Sequence, residues 1–251
     1  MRLPHMKITI VTVCFNSENT IENTIRSVVS QSYSDIEYII VDGLSTDNTL
    51  QIVNRYSDSV SRLISERDSG IYEAMNKGVE HATGDFILFL NADDRLIYEK
   101  TIENFVKRIE PDNESESDVR VGNVIIFDPD KNKGHVWKSK NISPFSVFRG
   151  SVPHPATFYR RDSFTKNGLF DESFKIAGDY EWLIRAVMKT KLTFTKMDIL
   201  TAIFFKGGIS TRQNYKDILS QEKQRAIRMH YSRQEIAYYN FRFRIFKTLG
   251  I

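Results

Sequence analysis

The sequence predicts an α/β fold. It is built on a mostly parallel, doubly wound sheet with helices on both faces, and it ends in a C-terminal helical tail. Three observations predict it. Short β-branched runs alternate with segments of helical period over the first hundred residues. That alternation is the pattern of parallel strands joined by right-handed helical crossovers. Acidic and amide groups recur just past strand ends, where open α/β sheets bind their ligands.

The elements follow in order. KITIVTV at 7–13 is apolar and β-branched, a buried strand. Asn19 or Thr20 can cap a helix carrying Ile21, Ile25, Val28 and Val29 on one side. IEYIIV at 36–41 is a second strand, and DGLSTDNT after it has loop and helix-capping chemistry. A helix to about Tyr56 and a short strand near Leu63 follow. Residues 71–82 read as a helix closed by Gly84, and 86–90 as a strand. EPDNESESD at 110–118 is a solvated acidic loop, and 119–127 is another strand with a turn after it. Residues 135–160 look irregular, because Pro144, Pro153 and Pro155 should break any helix. GDYEWLIRAVMK at 178–189 is amphipathic, 192–205 is strand-like, Gly207 and Gly208 turn, and the remainder is helical.

Composition excludes several classes. With 251 residues, 41% hydrophobic and 27% charged, the chain reads as one large globular domain. Cys14 is the single cysteine, so no internal disulfide forms, and no Cys/His cluster has zinc spacing. The start lacks the apolar core of a signal peptide, and Met6 offers a second possible start. No apolar stretch has the length of a membrane span, so a cytoplasmic location is expected. A net charge of +3 is too small to argue for nucleic acid. The charge is uneven, however. Residues 220–251 hold seven Lys/Arg and two Glu, with YYNFRFRIF among them. A basic aromatic helix suits an anionic membrane surface, and equally a helix packed on the domain with its Arg heads in solvent.

The chemistry gathers at strand ends. FILFLNADDRL passes from a buried run directly into Asn91, Asp93 and Asp94. A solvated turn or helix cap would use Asp there too. Val13, Phe15 and Asn16 close the first strand and Asp42 the second, so several polar groups should meet on one sheet edge. Paired carboxylates there suit a hard divalent cation, Mn²⁺ or Mg²⁺, shared with a ligand's phosphates. There is no G-x-x-x-x-G-K-[ST] loop, and no G-x-G-x-x-G follows the first strand. A P-loop NTPase and a dinucleotide dehydrogenase are thereby disfavoured.

Several ordered motifs then resemble family-2 glycosyltransferases of the GT-A type, a Rossmann-like fold. They are TVCFNSENTIENTIRSVVSQSYSDIEYIIVDGLSTDNT, SERDSGIYEAMNKGVEHATGDFILFLNADD, HPATFYRR and GDYEWLIR. Together they run from about 7 to 210, most of the chain. The resemblance implies a nucleotide-sugar donor, a divalent metal and inversion at the anomeric carbon. It places Asn91-Ala92-Asp93 at the family's D-x-D motif, with Asn91 in place of the first acid. Asp93 and Asp94 would hold metal and donor. It aligns Asp42 with the first acid of V-D-D-G-S-T-D and Gly43 with the second, which reads the base in many relatives. Asp68 then becomes the candidate to accept the imide N–H of uracil, with helix capping as its ordinary alternative. Phe15 lies against the base or in the core.

Asp179 in GDYEW resembles the catalytic base, with Gly178 allowing a tight turn and Glu181 as the alternative carboxylate. His154 matches a position on the acceptor side, where a structural role is as ordinary. Lys206 and Arg212 flank a GGIS loop and could meet phosphate oxygens. The resemblance divides the chain into a transferase domain at 1–212 and a helical extension at 213–251. In the first, about 7–95 would bind nucleotide and 96–212 acceptor. It implies a saccharide or lipid-linked acceptor in cell-surface polysaccharide synthesis, and a lipid-linked acceptor would explain the basic aromatic tail as a peripheral membrane contact. Two rivals are a nucleotide-sugar-binding protein without catalysis and a sugar nucleotidyltransferase. The second needs a Gly-rich basic loop that TVCFNSEN lacks.

Overall fold

A computed structural model gives the fold and describes residues 6–109, 117–208 and 213–249. The first five residues, most of the acidic loop and Arg212 lie outside these described residues. Strands β1 (Ile8–Cys14), β2 (Ile36–Asp42), β3 (Arg62–Ser65) and β4 (Phe86–Phe89) form a parallel block in the order β3-β2-β1-β4. Its register runs Ile8↔Ile36 to Cys14↔Asp42, with Ile8↔Phe86 on the other side. Helices α1 (Ile21–Val29), α2 (Thr49–Asn54) and α3 (Ile71–His81) connect these strands.

A strand has a side-chain period of two, so a central strand feeds two cores at once. Ile8, Ile10 and Cys14 pack with Ile21 and Ile25 of α1 and with Phe105 of α4 (Thr101–Ile109). Val11 and Val13 face the other side, with Tyr72 and Met75 of α3 and with Trp182. Each such burial removes an aliphatic side chain from water and contributes about 1.5–3 kcal/mol. A one-residue slip of β1 would exchange the two sets, so its register is firmly fixed.

Beyond β4 the sheet becomes mixed. Five more strands complete it: β5 (Arg95–Leu96), β6 (Val119–Asp128), β7 (Lys133–Trp137), β8 (Thr157–Arg160) and β9 (Phe194–Phe205). The order is β3-β2-β1-β4-β8-β6-β9-β5, with β7 beside the outer half of β6. The β8 strand enters antiparallel between β4 and β6, whereas β9 is parallel to β6. The sequence reading of 135–160 as broken is corrected here. Pro144 opens helix α5 (Pro144–Arg149) at its first position, where a missing N–H costs nothing. Ser143 and Ser146 cap that helix reciprocally.

Helix α6 (Arg161–Asn167) follows β8, and α7 (Gly178–Arg185) precedes β9. The C-terminal extension is two helices, α8 (Lys216–His230) and α9 (Arg233–Leu249). The first is no appendage. Its Glu222 accepts the backbone N–H groups of Lys175, Ile176 and Ala177 at 2.7–2.9 Å, and Ala226 is fully buried. The second packs through Tyr239 on Phe145, Phe148 and Tyr231. Among the described residues no helix is long and apolar enough to cross a membrane.

Candidate active site

A cleft of about 850 Å³ opens at the C-terminal ends of the parallel strands. Val13 and Cys14 line it at the end of β1 and Phe15 and Asn16 just after, Asp68 and Gly70 follow β3, and Asn91 and Asp93 follow β4. Phe205, the last residue of β9, and Lys206 to Gly208 beyond it close the far end. Sheet order therefore spreads the groups along one edge, with Asp68 near one end and Asp93 near the other.

Phe15 is 62% exposed, so it is not a core residue. Its aromatic face is free for a flat ring. Asn16 has positive φ and ties two loops together, its Oδ1 accepting the Thr46 N–H at 2.9 Å. Asp42 is fully buried and does not line the cleft, which corrects the expectation of direct contact. Its oxygens accept the Ser45 N–H and the hydroxyls of Ser45 and Ser65 (3.0 Å and 2.8 Å for Ser45 N–H and Ser65). It thereby fixes the loop that begins at Gly43.

Asp68 faces that loop. A Cβ at Gly43 would lie 2.6 Å from Asp68 Oδ2, so the acid occupies space that a side chain at 43 would fill. Burial raises the Asp68 carboxyl, with Lys77 opposing it and Glu73 adding to it. The helix behind it is not capped by Asp68. Gly70 stands at that position, and Glu73 accepts the Ser69 N–H.

The acids past β4 divide. Asp93 lines the cleft, and its Oδ2 lies so near Gly208 that a Cβ there would approach to 2.7 Å. Asp94 is fully buried, with Oδ1 accepting the Phe205 N–H at 3.2 Å and Oδ2 without a partner. Burial lifts its carboxyl well above the usual range, and the charge of Asp93 lifts it further. Asp94 thus does not line the cleft beside Asp93, as a shared role for the two acids would require; it sits behind that acid with one oxygen unpartnered. Among the described residues no three His, Cys, Asp or Glu side chains cluster as a metal site. The residues present still fit a hard cation whose remaining ligands come from a diphosphate and water. Asp93 supplies a carboxylate, and the buried Oδ1 of Asn91 has no partner.

Asp179 opens α7 outside the cleft wall and is 21% exposed. Tyr72, next to the lining residues Gly70 and Ile71, brings its hydroxyl to 3.1 Å from Asp179 Oδ1. Ser151 Oγ and His154 Nε2 lie 3.4 and 3.5 Å from Oδ2. Burial lowers the His154 imidazole, although Asp179 pulls it back, so it is neutral near pH 7. Gly178 is required by packing rather than by a tight turn, since a Cβ would lie 2.8 Å from the Tyr72 ring. Glu181 does not reach the cleft. It is buried and held by Arg185 and by His230 at 2.7 Å. Burial acts to raise its carboxyl, but those hydrogen bonds bring it below the usual range. Its role as alternative base is corrected accordingly.

Lys206 lines the cleft and pairs with Asp128 at 3.4 Å. Sequence reasoning missed Tyr72, Ser151 and Arg95. Tyr72 sits inside the GIYEAMNKG segment, and Arg95 follows the acids by one residue. Both were visible, but a contact across about a hundred residues leaves no local trace.

Comparison with known proteins bears on this arrangement. A protein of Mycobacterium bovis named PGL/p-HBAD biosynthesis glycosyltransferase is 32% identical over 228 residues, 88% of this chain and 85% of the relative. Staphylococcus aureus TarS, solved with UDP-GlcNAc, superposes with a TM-score of 0.66 at 23% identity. That match covers 80% of this chain and 59% of the solved TarS segment, residues 1–349, so the chain spans less than two thirds of that segment's length. A mannosyltransferase of Pyrobaculum calidifontis, solved with GDP-Man and Mn²⁺, superposes at 0.61 and 16% identity over 96% of this chain and 80% of its own. These two share the GT-A-type fold. The model of glycosyl transferase family 2 matches residues 9–184, and the chain belongs to that family of glycosyltransferases.

Proposed function

We propose that this glycosyltransferase moves a sugar, with inversion, from a uridine diphosphate sugar to a saccharide or lipid-linked saccharide acceptor in cell-surface polysaccharide synthesis. One observation carries the donor reading. A single cleft holds an exposed aromatic face at Phe15, a carboxylate at Asp68 and a carboxylate at Asp93. Phe15 stacks on the base, and Asp68 accepts the uracil imide N–H. Asp93, with the Asn91 amide oxygen, would hold a divalent cation, Mn²⁺ or Mg²⁺, which supplies charge neutralisation to the departing diphosphate.

Asp179 is the general base. It removes the acceptor hydroxyl proton as that oxygen bonds to the anomeric carbon and the bond to the diphosphate breaks. The single Tyr72 hydroxyl proton is shared between the Ile176 carbonyl at 2.6 Å and the Asp179 carboxylate at 3.1 Å, which holds the carboxylate beside α3, and neutral His154 lies beside its second oxygen without adding a charge. The transferred sugar is a hexosyl or N-acetylhexosaminyl group, the classes named for the structural neighbours.

Helix α9 supports peripheral contact with an anionic membrane. Tyr238, Phe241 and Ile245 stand three and four residues apart, so they share one face, and all are exposed. Arg244 flanks them, while Tyr239 and Arg242 hold the helix on the domain, both against Phe145. A lipid-linked acceptor would then be met at the membrane surface on the cytoplasmic side.

The test is a screen of nucleotide sugars for binding and for slow hydrolysis, with and without Mn²⁺ or Mg²⁺. The expected result is selective, metal-dependent use of UDP-sugars. Failure of every nucleotide sugar to bind would overturn the reading.

A further inference from the structure

A nucleoside diphosphate brings concentrated negative charge into a cleft. The cleft's own acids make that harder, since Asp68 and Asp93 both face it. Positive charge must come from somewhere besides one cation held by one carboxylate. Lys206 is available only in part, because Asp128 already lies 3.4 Å from its ammonium and also pairs with Lys131.

Arg95 is different. Strand β5 is two residues long and pairs antiparallel with β9, Arg95 opposite Ile203 and Leu96 opposite Ala202. Strand alternation sends the two side chains to opposite faces. Leu96 enters the core, and Arg95 lines the cleft two positions beyond Asp93. Its guanidinium carbon stands 4.5 Å from the Phe205 ring centroid. Stacking holds the guanidinium plane and leaves its edge, where the N–H donors are, unspent. Among the described residues no carboxylate lies within ion-pair distance of it, and no hydrogen-bond acceptor is within reach. A half-buried arginine fork with no acceptor among the described residues, facing a cleft, matches the geometry of paired phosphate oxygens.

We propose that Arg95 binds the diphosphate of the donor through charge-assisted hydrogen bonds, and so stabilises the leaving group as its charge develops. This rests on the nucleotide-sugar reading above. The rival is a purely structural arginine, stacked on Phe205 to hold β5 against β9.

The two are separated by ligands that differ only in phosphate. UDP, UMP and uridine are titrated by calorimetry against wild type, Arg95→Gln and Arg95→Lys, each in Mg²⁺ and again in EDTA, with thermal melting alongside. The expected result is a loss of roughly 10- to 100-fold in UDP affinity for Arg95→Gln. Uridine affinity should be unchanged, and Arg95→Lys should be intermediate because a point charge lacks the fork. The loss should persist in EDTA, since it does not act through the metal. UDP affinity equal to wild type in both folded variants would overturn the proposal, as would an equal loss for UDP and uridine. If wild type binds UDP no better than uridine, the diphosphate reading itself fails, and that outcome is visible before any variant is made.

Discussion

Asp68 stands where a side chain at Gly43 would stand: a Cβ built on Gly43 meets Asp68 Oδ2 at 2.6 Å. The two positions are 25 residues apart in sequence, one after β2 and the other after β3. Only one of them can carry an acid into that space. The resemblance that puts a base-reading acid at 43 in many relatives therefore points, in this chain, to Asp68.

Asp68→Ala should weaken uridine and UDP binding alike by about tenfold, since it deletes a charge-assisted hydrogen bond to the base. The double variant Gly43→Asp with Asp68→Gly should recover most of that loss by returning the acid from the other side. Calorimetry with uridine checks both. Wild-type affinity in Asp68→Ala would remove Asp68 from base recognition.

Asp94 leads to a pH prediction. Its carboxyl is raised by burial and by Asp93, so the folded protein holds a proton that the unfolded chain releases above about pH 4. The folded state binds more protons, so this group's contribution to stability falls as pH rises from that value toward its raised folded value. Asp94→Asn mimics the protonated form and should escape the loss. In EDTA, its melting temperature relative to wild type should climb between pH 4 and pH 7. A difference that is flat with pH would mean that Asp94 is not held neutral in the fold.

Removing residues 232–251 should weaken flotation with anionic liposomes and leave UDP affinity within about twofold. The exposed Tyr238, Phe241 and Ile245 are lost, whereas Glu222 keeps its three backbone partners and Tyr231, though it loses Tyr239, keeps Phe148 and its hydrogen bond to the Pro144 carbonyl. Truncation before α8 should do more damage, because Glu222 holds three backbone N–H groups just ahead of Asp179. Undiminished flotation of the shorter truncation would rule out α9 as the membrane contact.

The parallel half of the fold was legible because its central strands are largely apolar runs bounded by turn chemistry, whereas the edge strand β3, RLIS, is short and mostly exposed. β1 and β4 show it plainly, and the edge they share followed from their order. The mixed half was less legible. β8 is four residues long beside Pro153 and Pro155, and Pro144 reads as a breaker until its place at the first turn of α5 is known. In the site, Phe15, Asp68 and Asp93 could be named because each follows a strand directly. Asp94 could not be told from Asp93, since neighbours on an irregular segment point apart for tertiary reasons. Glu181 misled in the same way, its partner His230 being 49 residues away.

The central claim is that Asp179 acts as base on the acceptor and has no part in donor binding. The direct measurement is sugar transfer and UDP affinity for Asp179→Asn, with Asp93→Ala as companion. Asp179→Asn should keep UDP affinity within about twofold while transfer falls by roughly 10²–10⁴-fold, the usual worth of general-base catalysis. Asp93→Ala should lose both turnover and the metal-dependent part of UDP affinity. Near-wild-type transfer by Asp179→Asn, or loss of UDP binding in that variant, would contradict the account.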